Sequence, residues 1–273
     1  MSRERRSAGF YVLAVFFTLF VIFLYGPIST ILILSFQGPE GGLTFPMRGF
    51  SFVWFERLFQ QQAVGDFGGS FSRSLVLGLM VMITTVVVSL LAGLAFRRKF
   101  KGSALLFYVA VASLIVPSIL VGLGVGITFQ VLGIRPNWFT SGFGAHLTWT
   151  LPFGVLIMFA VFNRFSPSYE EAARDLGASP WQTFWHVLLP MIAPSLIGVG
   201  LFGFTLSYDE FARSRMTMGS FNTLPLEITG MTTNVTTPVL YALGTVTTVF
   251  SLLVIGGSLA AILLLRRRSA RRA

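Results

Sequence analysis

The chain has 273 residues, with 20 Lys+Arg against 10 Asp+Glu and a net charge of +10. Hydrophobic residues make up 54% and charged residues only 11%, where a soluble domain carries roughly 25% charged residues; mean hydropathy is +0.77. A soluble fold with this composition would expose large apolar patches, and a disordered chain would be polar and charged, so both are excluded. There is no cysteine, which removes thiolate chemistry and Cys-held metals. What remains is a polytopic membrane protein. Its apolar runs do not alternate, so it is read as all-α and not as a β-barrel.

Stretches free of Asp, Glu, Lys and Arg cover 7–39, 74–96, 102–134, 136–163, 176–208 and 228–265. A helix needs about 20 apolar residues to cross roughly 30 Å of hydrocarbon, so each stretch allows one crossing. Six helices are expected, near 10–35, 74–96, 104–132, 143–163, 191–208 and 240–265. The first follows Arg3, Arg5 and Arg6 and is too long for the core of a signal peptide, so it reads as an uncleaved span. Pro27 lies inside it and Pro117 inside the third. Such breaks are tolerated where neighbouring helices or a cavity satisfy the freed carbonyls. Gly122 and Gly126 form a GxxxG pair, a signal for close helix packing.

With six spans both termini share a side. Fourteen of the twenty basic residues fall on that side, among them Arg97, Arg98, Lys99, Lys101 and Arg266 to Arg268. The positive-inside rule then puts both termini in the cytoplasm. The basic excess is explained by topology and anionic lipid, so no nucleic-acid partner is expected. The longest loop, 37–72, lies outside and carries the aromatic segment Phe50–Phe59, which suits a short helix at the membrane interface.

The loop between the fourth and fifth spans has a different grammar. Ser166 and Pro167 can open a helix, with Glu170 and Glu171 in its first turns, and Gly177 is placed to stop it. Ser179 and Pro180 start another, with Trp181, Phe184, Trp185 and Leu188 at three- and four-residue spacing. The expectation is a helix–Gly–helix hairpin whose aromatic face asks for a protein partner or the membrane surface.

This hairpin resembles the EAA motif of bacterial ABC-importer permeases, in which E-A-A is followed by three residues, G, nine residues and I-x-L-P. Here Glu171-Ala172-Ala173 is followed at the same spacing by Gly177 and Val187-Leu188-Leu189-Pro190, with Val in place of Ile. The segment Leu206-Ser207-Tyr208-Asp209-Glu210-Phe211 and the stretch from Thr223 to Leu243 are similar to the second permease subunit of spermidine/putrescine-type importers. One departure is Ser118 after Pro117, where polyamine-type relatives often carry an acid. The resemblance implies a type I permease fold in the bacterial inner membrane, with a core over 69–261, an amino-terminal tail, span and outer loop over 1–68, and a basic tail over 262–273. It implies a homologous permease subunit, an ATP-binding subunit dimer that holds ATP and magnesium, and a periplasmic solute-binding protein as partners. It also implies that Glu171, Ala172, Ala173, Gly177, Leu189 and Pro190 couple the chain to the ATPase.

The chain itself contains no G-x-x-x-x-G-K-[ST], and its only lysines are Lys99 and Lys101, so no P-loop, no cofactor and no enzymatic activity of its own are expected. Asp209 and Glu210 are the acids that end the fifth span. They are candidates either for interface anchoring or for contact with a cationic solute in the path. Arg213 and Arg215 nearby would instead favour an anion, and an amino acid-like compound or a phosphonate stays open as the solute. His146 and His186 are too far apart in the predicted topology to form a metal pair, so no metal site is expected. The rival readings are a secondary transporter or channel, which would need ionisable groups within the spans, and an intramembrane enzyme, for which no nucleophile and base are suitably spaced.

Overall fold

The computed structural model describes residues 7–60, 65–98, 100–234 and 237–270. Arg3, Arg5, Arg6, Lys99, Arg271 and Arg272 of the charge count lie outside the described residues. Helices dominate. Among the described residues the one β pairing outside them is an isolated antiparallel bridge between Gln37 and Phe50.

Five helices are long and apolar enough to cross a membrane: α1 (Ala8–Leu34), α3 (Phe67–Phe96), α6 (Trp138–Arg164), α8 (Pro180–Tyr208) and the Val239–Gly257 part of α11 (Val239–Ala270). The third expected span is divided into α4 (Ser103–Ala112) and α5 (Ser118–Val131). The cause is Pro117. It has no N–H for the carbonyl of Ser113, and its ring pushes the preceding residue out of the helical region. The last residues of α4 tighten instead, with Leu114 N–H donating to Val111 O and Ile115 N–H to Ala112 O. Pro27 in α1 causes no such interruption. Shorter helices are α2 (Val53–Leu58), α7 (Ser168–Asp175), α9 (Ser214–Thr217) and α10 (Leu224–Asn234).

The chain forms two compact units, one from Met1–Gly65 with Met231–Leu252 and one from Asp66–Gly230 with Leu253–Ala273. In the first, buried Gln37 organises the long loop that follows α1. Its Oε1 accepts from Arg48 N–H at 2.7 Å, and its own carbonyl accepts from the Trp54 indole at 2.7 Å. Phe36 gathers Phe50, Phe52 and Phe55 around it, with ring centroids 5.2–5.4 Å from its own. Tyr241 in α11 donates its hydroxyl proton to Leu43 O at 2.5 Å.

The second unit is built on α3, which packs against α6 and α8. Its buried face is a row of small residues at near-helical spacing: Ser70, Ser74, Gly78, Thr85, Ser89 and Gly93. Apolar burial drives little between helices in lipid, because the tails are as apolar as leucine; close approach of small residues does the work. Larger side chains of the neighbours fill the room this leaves. Phe204 sits where a side chain on Gly78 would be, and Phe162 and Met158 where one on Gly93 would be. Thr85 and Thr150 share a hydrogen bond of 2.8 Å. Below this seam Met158, Phe162, Leu188, Ile192, Leu196 and Val199 form one apolar cluster.

Candidate functional site

Two places in the second unit carry the residues singled out by the sequence. The first is the hairpin of α7 and the start of α8. Helix α7 ends in a left-handed glycine: Gly177 has φ +84°. Gly177 N–H donates to Arg174 O at 2.8 Å and Ala178 N–H to Ala173 O at 3.0 Å. This is the Schellman arrangement, which satisfies the last carbonyls and favours a residue without Cβ at that position. Two residues later α8 opens with a capping box. Ser179 N–H donates to Gln182 Oε1 at 2.8 Å, Gln182 N–H donates to Ser179 Oγ at 3.3 Å, and Pro180 occupies the first turn.

The second arm of the hairpin is not a separate helix. It runs on into the fifth expected span, so that Pro180–Tyr208 is one apolar helix. The turn Phe184–Leu188 is widened to π geometry. Pro190 follows, and it lacks the N–H that would have bonded to the His186 carbonyl.

The hairpin is tied to the end of α3. Arg97 donates through Nη1 to Glu170 Oε1 at 2.8 Å and through Nη2 to Glu170 Oε2 at 2.6 Å. The hydrogen bond from Arg97 holds the Glu170 carboxyl below its ordinary range, and the same bond raises Arg97. The Arg97 guanidinium also lies over the rings of Phe162 and Phe165, 5.4 and 5.5 Å from their centroids.

Of the sequence-derived coupling residues, Glu171, Ala172, Gly177 and Pro190 are exposed, and Ala173 and Leu189 are half-buried. The aromatic face divides. Leu188 is buried in the apolar cluster with Phe184 packed against it, while Trp181 is 69% exposed and Trp185 46%. Leu176, at the tip, is 89% exposed. His186 donates from Nδ1 to Gln182 O at 3.0 Å.

The second place is where α8 ends. Asp209 and Glu210 are adjacent in sequence but differ in surroundings. Asp209 is exposed, and its carboxylate has no hydrogen-bond or ion-pair partner among the described residues. Glu210 is buried and committed. Its Oε1 accepts from Arg213 N–H at 2.8 Å, and its Oε2 accepts from Arg213 Nη1 at 3.2 Å. Arg213 is fully buried; the same Nη1 donates to Ser118 Oγ at 2.7 Å, and the guanidinium lies 4.6 Å from the centroid of Trp149.

Beside it, Ser214 Oγ donates to Glu210 O at 2.5 Å. Ser214 therefore accepts from His146 Nε2–H at 2.9 Å, which leaves Nδ1 as the acceptor of the Ser207 hydroxyl at 2.8 Å. His146 is thus a buried structural group. Arg215, by contrast, is exposed.

The GxxxG pair supplies the floor of this cluster. A Cβ on Gly122 would lie 2.9 Å from Arg213 Cα, and one on Gly126 would lie 2.5 Å from Met216 O. The pair therefore seats the backbone of Arg213 and of α9, not another spanning helix. Ser118 continues the same stripe one turn earlier. Sequence reasoning missed Ser118, Trp149 and Arg213 as a cluster; the signal available was Ser118, Gly122 and Gly126 at four-residue spacing.

These features are those of a helical membrane protein, and the comparisons with known proteins say of which kind. The family described as "Binding-protein-dependent transport system inner membrane component" matches residues 85–269, and the chain belongs to it. It is a multi-pass inner-membrane permease subunit of an ABC importer.

Among its relatives, the spermidine/putrescine transport system permease protein PotC of Haemophilus influenzae is 32% identical over 241 residues, covering 86% of this chain and 90% of that one. PotC of Escherichia coli K12 is 29% identical over 246 residues, 88% of this chain and 89% of that one. The putrescine transport system permease protein PotI of the same strain is 28% identical over 212 residues, 75% of this chain and 74% of that one.

The same fold occurs in a solved bacterial ABC transporter involved in the import of the acidic polysaccharide alginate (TM-score 0.63, 17% identity, 99% of both chains). It also occurs in the methionine ABC transporter MetNI (TM-score 0.55, 15% identity, 72% of this chain and 93% of that one). The alginate transporter has further been solved with its pentasaccharide-bound periplasmic protein, at TM-score 0.61 and 16% identity over 96% of this chain and 93% of that one.

Proposed function

We propose that the chain lines half of the translocation path of an ATP-driven importer for a polyamine or a related small organic cation. The relatives named for spermidine and putrescine support the solute class. In this reading the chain pairs with a homologous permease subunit across the path. It receives solute from a periplasmic binding protein and draws energy from a cytoplasmic ATPase dimer that holds ATP and magnesium. The permease core is residues 69–261, flanked by 1–68 and the basic tail 262–273, which meets anionic lipid. Helices α4 and α5 together make the third of six crossings, with both termini and the α7–α8 hairpin in the cytoplasm.

One observation supports the coupling role more than any other. The hairpin's tip is closed by two backbone hydrogen bonds, and its second arm is the same helix as a span. Closure of the ATPase dimer against Glu171, Ala172, Ala173, Gly177 and the exposed Leu176, Trp181 and Trp185 would push this lever. Through Leu189 and Pro190 the push would tilt α8, and through Arg97 and Glu170 it would reach α3. At the other end of α8, Asp209 is the carboxylate that can meet a solute ammonium, because a charge-assisted contact offsets the loss of hydration.

The test is uptake of radiolabelled spermidine into vesicles that hold the complete transporter. Glu171→Lys and Gly177→Trp should each reduce ATP-driven uptake by about tenfold or more, the scale at which an interface anchor worth over 1.4 kcal/mol is lost. Both variants should still insert and be present at the usual level. Normal uptake in both would remove the coupling role. Uptake of a labelled amine that excess spermidine and putrescine fail to compete would remove the polyamine class.

A further inference from the structure

A fully buried guanidinium at the end of a membrane helix is a costly thing to maintain. Arg213 does not hold a surface in place as an ordinary exposed ion pair would. Its backbone rests on Gly122, its plane faces Trp149, and its Nη1 is shared between Ser118 and Glu210. Nε and Nη2 make no hydrogen bond among the described residues. The guanidinium carbon lies over the Trp149 ring, and an aromatic face stabilises a desolvated cation.

The consequence falls on the adjacent acids. Without the Arg213 guanidinium the Glu210 carboxylate would keep only the backbone N–H on Oε1 and would carry an unneutralised charge next to Asp209 in the chain. With it, both oxygens of Glu210 accept hydrogen bonds within the protein, and only Asp209 remains without a partner among the described residues. The clamp needs three other features: the helix break that puts Ser118 at the first turn of α5, the missing side chain at Gly122, and the ring of Trp149.

We propose that Arg213 determines specificity. By occupying Glu210 through the Ser118–Arg213–Trp149 clamp, it leaves Asp209 as the single carboxylate offered here, and so fits this level of the path to one ammonium group. Arg213 does not touch the solute; it sets how many negative charges the solute meets. This inference rests on the cation reading above, and the experiment separates the two.

Uptake is measured in vesicles holding the complete transporter, with butylamine, putrescine and spermidine as labelled probes of one, two and three ammonium groups. Asp209→Asn tests the cation reading itself: half-saturating concentrations should rise about tenfold for all three amines, the effect of losing one charge-assisted contact. No change would remove Asp209 from the path and the cation reading with it.

Arg213→Met tests the new inference. It removes the guanidinium and frees Oε2 of Glu210, while the backbone N–H of residue 213 still holds Oε1, so spermidine and putrescine should gain about tenfold over butylamine in uptake efficiency, one extra charged contact. An unchanged ranking of the three amines in an assembled complex would overturn the proposal.

The neutral double variant Glu210→Gln with Arg213→Met guards against a folding failure of the single one, because it leaves no unpaired buried charge. Its maximal uptake can fall, but the ranking and half-saturating concentrations of the amines should stay as in the unsubstituted chain. A rise for every amine equal to that of Asp209→Asn would show that Glu210 itself holds the solute and would overturn the proposal.

Discussion

The hairpin around Gly177 and the cluster around Gly122 use glycine for opposite reasons. At Gly177 the backbone is left-handed, with φ +84°, and nothing lies within 4 Å of where a Cβ would stand. There the requirement is conformational and local. At Gly122 the backbone is ordinary α5 helix, and the requirement is space, because the Arg213 backbone occupies it. One site is exposed and lies where the ATPase contact is proposed. The other is buried and built to hold the chain together while it carries charge. A glycine in a membrane protein therefore says little until it is known which of the two it supplies.

The sharpest way to break this comparison is to fill the space. Gly122→Leu should have the largest effect of any single change considered. A Cβ at 2.9 Å from a backbone carbon cannot be relieved by a rotamer change. Overpacking of this kind costs about 1–3 kcal/mol in a well-packed core, and here it also displaces a buried charge. Gly124→Leu is the control, since nothing lies within 4 Å of its Cβ position. Gly124→Leu should give a normal yield of assembled complex in gel filtration, while Gly122→Leu should give little. Equal yields would mean that α5 is not pinned to Arg213.

Next comes the conformational glycine. Gly177→Val should cost about 1–2 kcal/mol through the left-handed backbone alone, with no clash. Gly177→Asn should recover much of that, because Asn tolerates this region. The readout is the ratio of uptake to ATP hydrolysis, expected to fall in the order Gly, Asn, Val. Membrane level should not change. If Asn and Val behave alike, the left-handed turn is not what the position supplies.

The difference between the two sites also explains what could be read in advance. The turn and caps of the hairpin are local, unlike its tie to Arg97. Gly177 sits after a short helix, Ser179 sits three residues before Gln182, and Pro180 sits between them, so the turn and its caps lie within one stretch of sequence. The break at Pro117 was readable for the same reason, since proline acts on its own helix. The continuous helix through the second arm and the fifth span was not, because that span was expected only from residue 191, and the helix widens in the turn before Pro190.

The buried cluster joins residues far apart in the chain; Arg213 and Ser118 are 95 positions apart. The four-residue spacing of Ser118, Gly122 and Gly126 marks a stripe on α5, but it does not say that Arg213 lies against it. Nor could adjacency separate Asp209 from Glu210, because the end of α8 turns one outward and the other onto Arg213. The small-residue row on α3 lay open to reading at its four-residue spacing, and its meaning became clear only with Phe204 and Phe162 in place opposite it.

A smaller effect belongs to the cap. Ser179→Ala removes the oxygen that accepts from Gln182 N–H. Loss of such a cap costs about 1 kcal/mol. Because α8 is long and anchored further along, the change should loosen the hairpin and leave the span intact. Faster amide exchange confined to the first turn of α8, with unchanged exchange through the Ile192–Val199 stretch, is the expected result. Uniform exchange along the helix would argue that the hairpin and the span are one cooperative unit.

The smallest effect is electrostatic. Arg97 and Glu170 form a two-pronged pair, but their side chains remain 23% and 14% exposed. Solvent screening therefore keeps the contribution of such a pair to about 0–1 kcal/mol. The Glu170 carboxyl is lowered, first by its hydrogen bond from Arg97 and further by the charges of Arg97 and Arg174. A lowered carboxyl stabilises the folded state above its unfolded pKa of about 4.3, and that stability is lost as pH falls through the lower folded value. Arg97 is raised and stays charged throughout, so it adds no slope. Melting curves of the assembled complex at pH 7 and in steps below pH 5 should therefore show an acid-side loss that Glu170→Gln reduces, with a small drop at pH 7. The comparison also bears on coupling. If the pair carries motion from the hairpin to α3, Glu170→Gln should lower uptake per ATP by more than its effect on melting at pH 7 suggests. If both fall in proportion, the pair only stabilises, and the lever acts through α8 alone.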